Sequence, residues 1–129
     1  MSRAGEKHNI MVLLVEDYED TRDLMRMLLE MKGCRVTEAA DGRAAVELAG
    51  KLKPSLILMD LNLPVLSGYE ATRLILSDPE LSNIPIVAFS AQCDLERRQQ
   101  AVAAGCIECI QKPIDFNVID EVVDRYLPK

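Results

Sequence analysis

The sequence predicts an α/β fold in which a doubly wound sheet of five parallel strands carries helices on both faces. Its short apolar runs are continuous rather than alternating, which is typical of strands buried on both faces. Amphipathic segments separate these runs, so that a strand and a helix follow each other five times. Because crossovers between parallel strands are right-handed, this alternation predicts helices on both sides of the sheet.

The first strand is predicted at residues 10–15, "IMVLLV", because the run is continuous and rich in branched side chains. Residues 20–32 follow as an amphipathic helix that ends at Gly33. Apolar residues at helical spacing predict its buried stripe, and Met25 is also assigned to the core or its margin. The stripe consists of Leu24, Met27, Leu28 and Met31.

The second strand is predicted at residues 34–39, where partial alternation of polar and apolar residues favours a position near the sheet edge. Residues 43–52 form an Ala-rich helix that stops before Pro54, since proline disfavours a helical residue in front of it. The third strand occupies residues 56–59, "LILM", and a third helix occupies residues 69–76.

The fourth strand is predicted at residues 84–89, "IPIVAF", and the fourth helix at residues 94–104, ended by a glycine. A short last strand at residues 108–111 precedes the last helix, at residues 117–126. The core stripe of that helix is Ile119, Val122, Val123 and Tyr126.

Length and charge limit the function classes. A chain of 129 residues suits one domain, here residues 10–129, with residues 1–9 as a flexible N-terminal tail. The net charge of −6 disfavours binding to nucleic acids and anionic membranes, which need a basic surface. No apolar run approaches the roughly 20 residues of a membrane span, and the polar N-terminus is unlike a secretory signal. A cytoplasmic location is the expectation.

Four cysteines are expected to be reduced thiols in a cytosolic protein. Cys106 and Cys109 form a C-x-x-C motif, but a second pair is missing and the single histidine, His8, lies in the tail. The motif lies in a turn that enters a short strand, where a spacing of three residues places two side chains on opposite faces. Ordinary packing is therefore favoured over a metal site or redox pair.

Chemically active side chains follow four of the five strands. The functional edge of an open doubly wound sheet lies outside the carboxyl ends of its strands, so we expect these side chains to meet there. They are Glu16 and Asp17 after the first strand, Asp60 and Asn62 after the third, Ser90 after the fourth and Lys112 after the fifth.

This set of side chains predicts phosphoryl chemistry. Three neighbouring carboxylates raise one another's pKa unless a cation separates them, and an all-oxygen cluster suits Mg²⁺ (or Mn²⁺). A metal ion, the Lys112 ammonium and the Ser90 hydroxyl around Asp60 would position and neutralise a phosphoryl group. Aspartate is a known covalent acceptor of such groups.

Four motifs, in this order, resemble the receiver domain of bacterial two-component response regulators, whose fold is flavodoxin-like or CheY-like. They are "LLVEDYEDTRDLM", "LILMDLNLPVLSGYE", "IVAFSAQ" and "AAGCIECIQKP". The resemblance extends from about residue 10 to residue 127. One such motif is weak, but four at successive strand ends are specific.

The resemblance implies a role for each residue of the site. Asp60 matches the phosphoacceptor, and Asp17, Asp60 and the main-chain carbonyl of Asn62 match the metal ligands. Glu16 matches an acid that acts through a metal-bound water. Ser90 and Lys112 match the hydroxyl and the ammonium that contact the phosphoryl group. The resemblance also implies a cis Lys112–Pro113 bond, and it matches Pro64 and Gly68 to the loop after the acceptor, where glycine permits an unusual backbone turn.

One position departs from the family. Three residues before the lysine, where receivers carry an aromatic ring that moves inward on activation, this chain has Cys109. A thiol lacks the volume of that ring, so the serine–aromatic coupling of the family is in question here. A degenerate receiver that serves only as an interaction module is therefore an alternative. Such receivers usually lack the acceptor, an acid or the lysine, and none of these is missing from this sequence.

A flavin- or nucleotide-binding protein of the same topology is a second alternative. Its first loop would be rich in Gly, Ser or Thr and offer backbone amides to phosphate, whereas "VEDYEDT" offers carboxylates, which repel phosphate unless a metal intervenes.

The expected function is a phosphorylation-activated switch rather than a turnover enzyme. A histidine kinase or phosphotransfer protein would transfer a phosphoryl group to Asp60 in a Mg²⁺-dependent reaction, and the domain would catalyse only its own phosphotransfer and dephosphorylation. The added charge would attract Ser90 and Lys112 and shift a two-state equilibrium. Since the sequence ends after the last helix, a stand-alone receiver is expected, which signals by binding a downstream protein without direct DNA binding or membrane insertion.

Overall fold

A computed structural model describes residues 10–126, over which five parallel strands form one sheet in the order β2-β1-β3-β4-β5. The predicted tail, residues 1–9, and residues 127–129 lie outside the described range. The strands are β1 (Met11–Val15), β2 (Arg35–Ala39), β3 (Leu56–Asp60), β4 (Ile86–Ser90) and β5 (Glu108–Gln111). The helices are α1 (Glu19–Met31), α2 (Gly42–Leu52), α3 (Gly68–Leu76), α4 (Leu95–Ala104) and α5 (Phe116–Tyr126).

This architecture confirms the predicted doubly wound fold, and most element boundaries agree within one or two residues. The informative difference lies at two strand ends. Asp60 pairs in register with Phe89, and Ser90 pairs with Gln111, so Asp60 and Ser90 are the last residues of β3 and β4 rather than the first residues after them. Their side chains are consequently held by the sheet itself.

The helices pack in two layers, one on each face of the sheet. Successive strand residues point to opposite faces, so each buried strand contributes side chains to both cores. Leu13 and Val15 of β1 belong to the core under α2, α3 and α4. Val12 and Leu14 belong to the core under α1 and α5. In α5 the predicted stripe is confirmed, with Ile119, Val122 and Val123 buried and Tyr126 packed at the margin.

The predicted buried stripe of α1 is wrong for three of its members. Leu24, Met27 and Met31 are 51%, 53% and 69% exposed, whereas Met25 and Leu29 are 1% and 0% exposed. The helix carries apolar residues on two adjacent faces, and both show helical spacing, so periodicity alone did not identify the face that packs on the sheet. An exposed apolar face on α1 follows from this arrangement.

The C-x-x-C pair does not divide between two faces as predicted. Cys106 precedes β5, so strand alternation does not apply to it, and both Cys106 and Cys109 lie in the core beneath α3 and α4. The Cys106 thiol makes a contact of 3.7 Å with the Thr72 hydroxyl. The interpretation of Cys106 as a packing residue agrees with these contacts.

Side-chain caps fix where three helices begin. Asp41 accepts a hydrogen bond from the Ala44 amide at the start of α2, and Ser67 and Glu70 form a capping box at the start of α3. Asp94 accepts from the Arg97 amide and starts α4. None of the helices within residues 10–126 is long and apolar enough to cross a membrane.

Candidate phosphoacceptor and metal site

The predicted side chains meet at the carboxyl edge of the sheet, where β1, β3, β4 and β5 end. Carboxylate oxygens of Glu16, Asp17 and Asp60 lie within 4.8 Å of one another. Glu16 and Asp60 are buried, while Asp17 is exposed at the mouth of the cluster. The Lys112 ammonium ion-pairs with both buried acids.

Asp60 lies at the centre of the site and is 1% exposed. Its Oδ1 accepts a hydrogen bond of 2.9 Å from the Asn62 amide, and its Oδ2 lies 3.3 Å from Lys112 Nζ. Both carboxylate oxygens are therefore oriented by fixed donors, since the amide belongs to the loop backbone and the lysine follows β5.

Glu16 is fully buried beside Asp60, which is unusual for a carboxylate. Its Oε2 accepts a hydrogen bond of 3.0 Å from the Tyr18 amide. Its Oε1 lies 3.0 Å from Lys112 Nζ, in an ion pair that lacks the directionality of a hydrogen bond. One buried oxygen of the site thus retains unused capacity to accept a donor or to contact a cation.

The two buried acids have opposite pKa shifts. Burial, together with the neighbouring charge of Glu16, raises the pKa of Asp60 to about 7 in spite of the Asn62 amide and Lys112, which lower it. Burial would also raise the pKa of Glu16, but the Tyr18 amide and Lys112 together lower it below its usual value. The pKa of Lys112 is raised, because its two carboxylate partners outweigh its burial. With three carboxylates beside a single ammonium, the site carries more formal negative charge than Lys112 neutralises.

Asp60→Asn is expected to stabilise the metal-free protein at pH 8. An unfolded aspartate has a pKa near 3.9, so between about pH 4 and pH 7 the folded state binds the extra proton. Raising the pH through this window removes that proton and lowers stability, and the neutral amide avoids this cost. Thermal melts in chelator should show a gain of at least about 1 kcal/mol at pH 8 that shrinks toward pH 5. A variant less stable than wild type at pH 8 would contradict the raised pKa.

Ser90 and Asn62 form a bridge between the ends of β4 and β3. The Ser90 hydroxyl accepts hydrogen bonds from Asn62 Nδ2 at 3.3 Å and from the Gln92 amide at 3.2 Å. The Ser90 carbonyl accepts a hydrogen bond of 2.8 Å from the Lys112 amide. The predicted hydroxyl is thus in place beside the acid cluster, at the start of the loop that leads to α4.

The loop between β3 and α3 corrects one expectation. Gly68 does not have positive φ; glycine is needed because a Cβ there would lie 2.2 Å from the Asp60 carbonyl oxygen. The unusual backbone lies instead at the exposed Val65, with φ of 70°, where the Leu66 amide donates to the Pro64 carbonyl in a tight three-residue turn. No feature of the sequence marked Val65. The Lys112–Pro113 bond is cis, as expected.

The residues of this edge fit a hard divalent cation. Three carboxylates contribute oxygens to one small volume, and excess negative charge and an incompletely satisfied Glu16 oxygen remain there. Oxygen ligands with one exposed member suit an ion such as Mg²⁺, which retains several waters. Asp17 and Asp60 are the side chains that would hold it.

The site and the fold together match one known family. The family model described as "Response regulator receiver domain" matches residues 12–124. The chain belongs to this family. The resemblance noted in the sequence is thereby confirmed at the level of the family.

Relatives of known identity agree with this assignment. The polar-differentiation response regulator DivK of Brucella anthropi is 39% identical over 119 residues, covering 90% of this chain and 94% of DivK. The receiver domain of the sensor histidine kinase PA1611 from Pseudomonas aeruginosa PAO1 was crystallised with magnesium coordinated in its active-site cleft. It is 34% identical with a TM-score of 0.85, covering 91% of this chain and 96% of that one.

A third relative is the chemotaxis protein CheY4 of Vibrio cholerae, which is 28% identical with a TM-score of 0.87 and covers 92% of this chain and 98% of CheY4. The similarity of this receiver domain to response regulators and to a sensor-kinase receiver identifies it as a phosphorylation-dependent switch of two-component signalling. Receiver domains act as signalling domains that interact with histidine kinases and downstream targets. The roles of individual residues in this chain remain predictions.

Proposed function

We propose that Asp60 of this receiver domain accepts a phosphoryl group from a phosphohistidine of a histidine kinase or phosphotransfer protein. The observation that carries this proposal is the buried Asp60, oriented by the Asn62 amide and Lys112 within a cluster of three carboxylates. A carboxylate oxygen of Asp60 attacks phosphorus and the P–N bond to histidine breaks. The ring nitrogen keeps the electron pair of that bond, and one proton on the imidazole, taken from solvent when the other ring nitrogen carries none, lets the histidine leave as a neutral group.

The chain's own residues position the transferred group. The Lys112 ammonium, 3.3 Å from Asp60, neutralises charge on a phosphoryl oxygen, and the Ser90 hydroxyl is available as a donor once its loop moves. Mg²⁺ or Mn²⁺, when bound, would lower the pKa of Asp60 and neutralise the developing phosphoryl charge. Asp17, Asp60 and the Asn62 carbonyl would hold the ion directly, with Glu16 acting through a water. Slow hydrolysis of the phosphoaspartate in the same site would reset the switch.

The metal requirement is tested with acetyl phosphate as a small donor. Intact mass spectrometry should show the gain of one phosphoryl group with Mg²⁺ and none in excess chelator. Asp17→Asn removes a charged ligand and should raise the Mg²⁺ concentration needed for half-maximal rate by roughly tenfold or more. Asp20→Asn is the matched control, since Asp20 is an exposed acid three residues further along. Equal metal dependence of both variants would exclude Asp17 as a ligand.

The exposed apolar face of α1, formed by Leu24, Met27 and Met31, is a candidate docking surface for the partner that carries the histidine. A groove between α1 and the segment after β5 is lined by Leu24 and Met25 on one side and by Lys112, Pro113 and Ile114 on the other. Because Lys112 belongs to both the groove and the acid cluster, a protein seated in the groove would present a histidine to Asp60. The partner's surface would be apolar to match.

Leu24→Gln is expected to slow transfer from a phosphorylated histidine phosphotransfer protein by about tenfold. Transfer from acetyl phosphate should not change, because that donor makes no contact with α1. Val102→Gln is the control, since Val102 is an apolar residue on α4 that is at least as exposed as Leu24. Rates come from the mass-resolved time course with each donor. If Leu24→Gln slows both donors alike, the groove is not a docking surface.

A phosphorylation-independent interaction module is the second candidate, and Cys109 at the usual aromatic position is the observation that favours it. The acceptor, both acids of the first loop and the lysine are all present, which weighs against it. We place the switch in the cytoplasm, where it would signal by binding a downstream protein.

A further inference from the structure

Two buried thiols on different elements point at each other. Cys93 lies in the loop between β4 and α4, Cys109 lies in β5, and each is 4% exposed. Their Sγ atoms are 2.7 Å apart, compared with about 2.05 Å in a disulfide. Both side chains are reduced in the structure. The thiol that replaces the usual aromatic ring thus contacts a second thiol.

The surrounding contacts hold the two backbones at a fixed separation. Arg98 of α4 donates from Nε to the Cys93 carbonyl at 2.7 Å and from Nη1 to the Cys109 carbonyl at 3.1 Å. Cys109 also lies in register beside Ala88 of β4, which is the strand that leads into the loop of Cys93. Because the two sulfurs are already 2.7 Å apart and one guanidinium contacts both carbonyls, forming a bond between the sulfurs requires only a small side-chain movement.

We propose that Cys93 and Cys109 form a reversible intramolecular disulfide when the protein meets hydrogen peroxide, and that this bond ties the β4–α4 loop to β5. The proposal adds a redox input to the switch, and its regulatory half rests on the proposed function. The C-x-x-C motif seen in the sequence is not the reactive pair, because the Cys106 thiol contacts Thr72.

The reaction balances with one peroxide per disulfide. The Cys93 thiolate attacks one peroxide oxygen, the O–O bond breaks, and the hydroxide released takes a proton to become water, leaving a sulfenic acid. The Cys109 sulfur then attacks the Cys93 sulfur, its thiol proton leaves with the sulfenic hydroxyl as a second water, and the S–S bond forms. Two thiols are oxidised by two electrons and the peroxide is reduced to two waters.

Access to the pair favours Cys93 as the first to react. Its neighbours Ala91, Gln92 and Asp94 are exposed, so a local opening of this loop alone would admit peroxide. Cys109 lies in the sheet, and burial, with Cys93 beside it, raises the pKa of its thiol to about 12. Cys109 therefore acts as the resolving thiol, which reacts when the loop closes.

The disulfide would restrain the loop on which the switch depends. Ser90 lies three residues before Cys93, and its carbonyl is 3.9 Å from the Cys93 sulfur. A bond from Cys93 to β5 holds Ser90 in its contacts with Asn62 and Gln92, so the hydroxyl does not reach a phosphoryl group on Asp60. We expect the oxidised protein to be phosphorylated by acetyl phosphate at least threefold more slowly, with full recovery in dithiothreitol.

The first experiment treats the full chain with hydrogen peroxide, alkylates remaining thiols, and maps peptides by mass spectrometry. The expected result is a protein that has lost two hydrogens, takes up two fewer alkyl groups and gives a Cys93–Cys109 linked peptide. Absence of an intramolecular disulfide, or a link from Cys106 to Cys109, would overturn the proposal.

Variants separate this site from general thiol oxidation. Cys93→Ser should form no intramolecular disulfide, whereas Cys106→Ser, which changes an equally buried thiol, should still form it. If Cys93→Ser fails to fold, the peptide map of oxidised Cys106→Ser decides the question: a Cys93–Cys109 linked peptide supports the proposal, and its absence overturns it.

A normal phosphorylation rate in the oxidised protein would overturn the regulatory half while leaving the disulfide established. If the reduced protein accepts no phosphoryl group at all, the proposed function fails, and the peptide map still decides the disulfide.

Discussion

Asp60→Asn is expected to abolish phosphoryl acceptance completely, with no mass gain after hours in acetyl phosphate and Mg²⁺. The amide is nearly isosteric but is not nucleophilic, and it is a weaker ligand for a hard cation. Wild type should gain one phosphoryl group per chain under the same conditions. Intact mass spectrometry resolves the two outcomes directly.

A folding defect is not expected to cause the loss of phosphorylation in Asp60→Asn. The variant is expected to be at least as stable as wild type at neutral pH, because it removes a buried carboxylate whose pKa is raised to about 7. Asp41→Asn serves as the control, since asparagine caps a helix as well as aspartate does. A phosphoryl group found on the variant, at any rate near that of wild type, would move the acceptor to another residue such as the exposed Asp17.

The sequence was sufficient to predict the fold and the location of the site. Continuous apolar runs indicated buried parallel strands, and parallel strands place their carboxyl ends at one edge. The residues of the candidate site are those at, or directly after, the carboxyl end of each apolar strand. Glu16, Asp60 and Lys112 were placed together by topology alone, without any knowledge of their side-chain contacts.

Other features depend on tertiary packing and cannot be predicted from the local sequence. Helical periodicity in α1 allowed two apolar faces, and only packing against the sheet selected Met25 and Leu29. The need for Gly68 arises from the approach of the Asp60 carbonyl, not from a turn. Cys93 and Cys109 are 16 residues apart, so no spacing rule connects them.

Cys109 changes how the β4–α4 loop is connected to β5. Receivers of the usual pattern place a ring three residues before the lysine, and a thiol leaves that volume to be filled by something else. Here the Cys93 side chain turns inward from the β4–α4 loop, and Arg98 joins both backbones. The β4–α4 loop is therefore connected to β5 through polar and sulfur contacts instead of through aromatic packing.

Lys112→Met is expected to cause the second large effect, on both stability and phosphorylation. The ammonium is the cation nearest two buried carboxylates, at 3.0 Å from Glu16 and 3.3 Å from Asp60, and it lies 5.3 Å from the Phe89 ring centre. Removing one partner of a buried ion pair costs about 3–5 kcal/mol. Urea unfolding at pH 8 in chelator should show a loss in this range.

The phosphorylation rate of Lys112→Met should fall by about 100-fold, because a charge that stabilises the phosphoryl oxygens is lost. Saturating Mg²⁺ should restore part of the stability by supplying another positive charge to the acids, but it should not restore the rate. Lys51→Met is the control, since Lys51 is exposed in the last turn of α2 and its replacement should change stability by less than about 0.5 kcal/mol.

The pH dependence of the Lys112→Met defect separates charge from packing. Without the lysine, Asp60 gains a proton more readily, so the loss of stability should shrink as the pH falls from 8 to 5. A loss caused only by poor packing of methionine would not change over this range. A variant as stable as wild type at pH 8 in chelator would show that the two buried acids do not need the neighbouring cation.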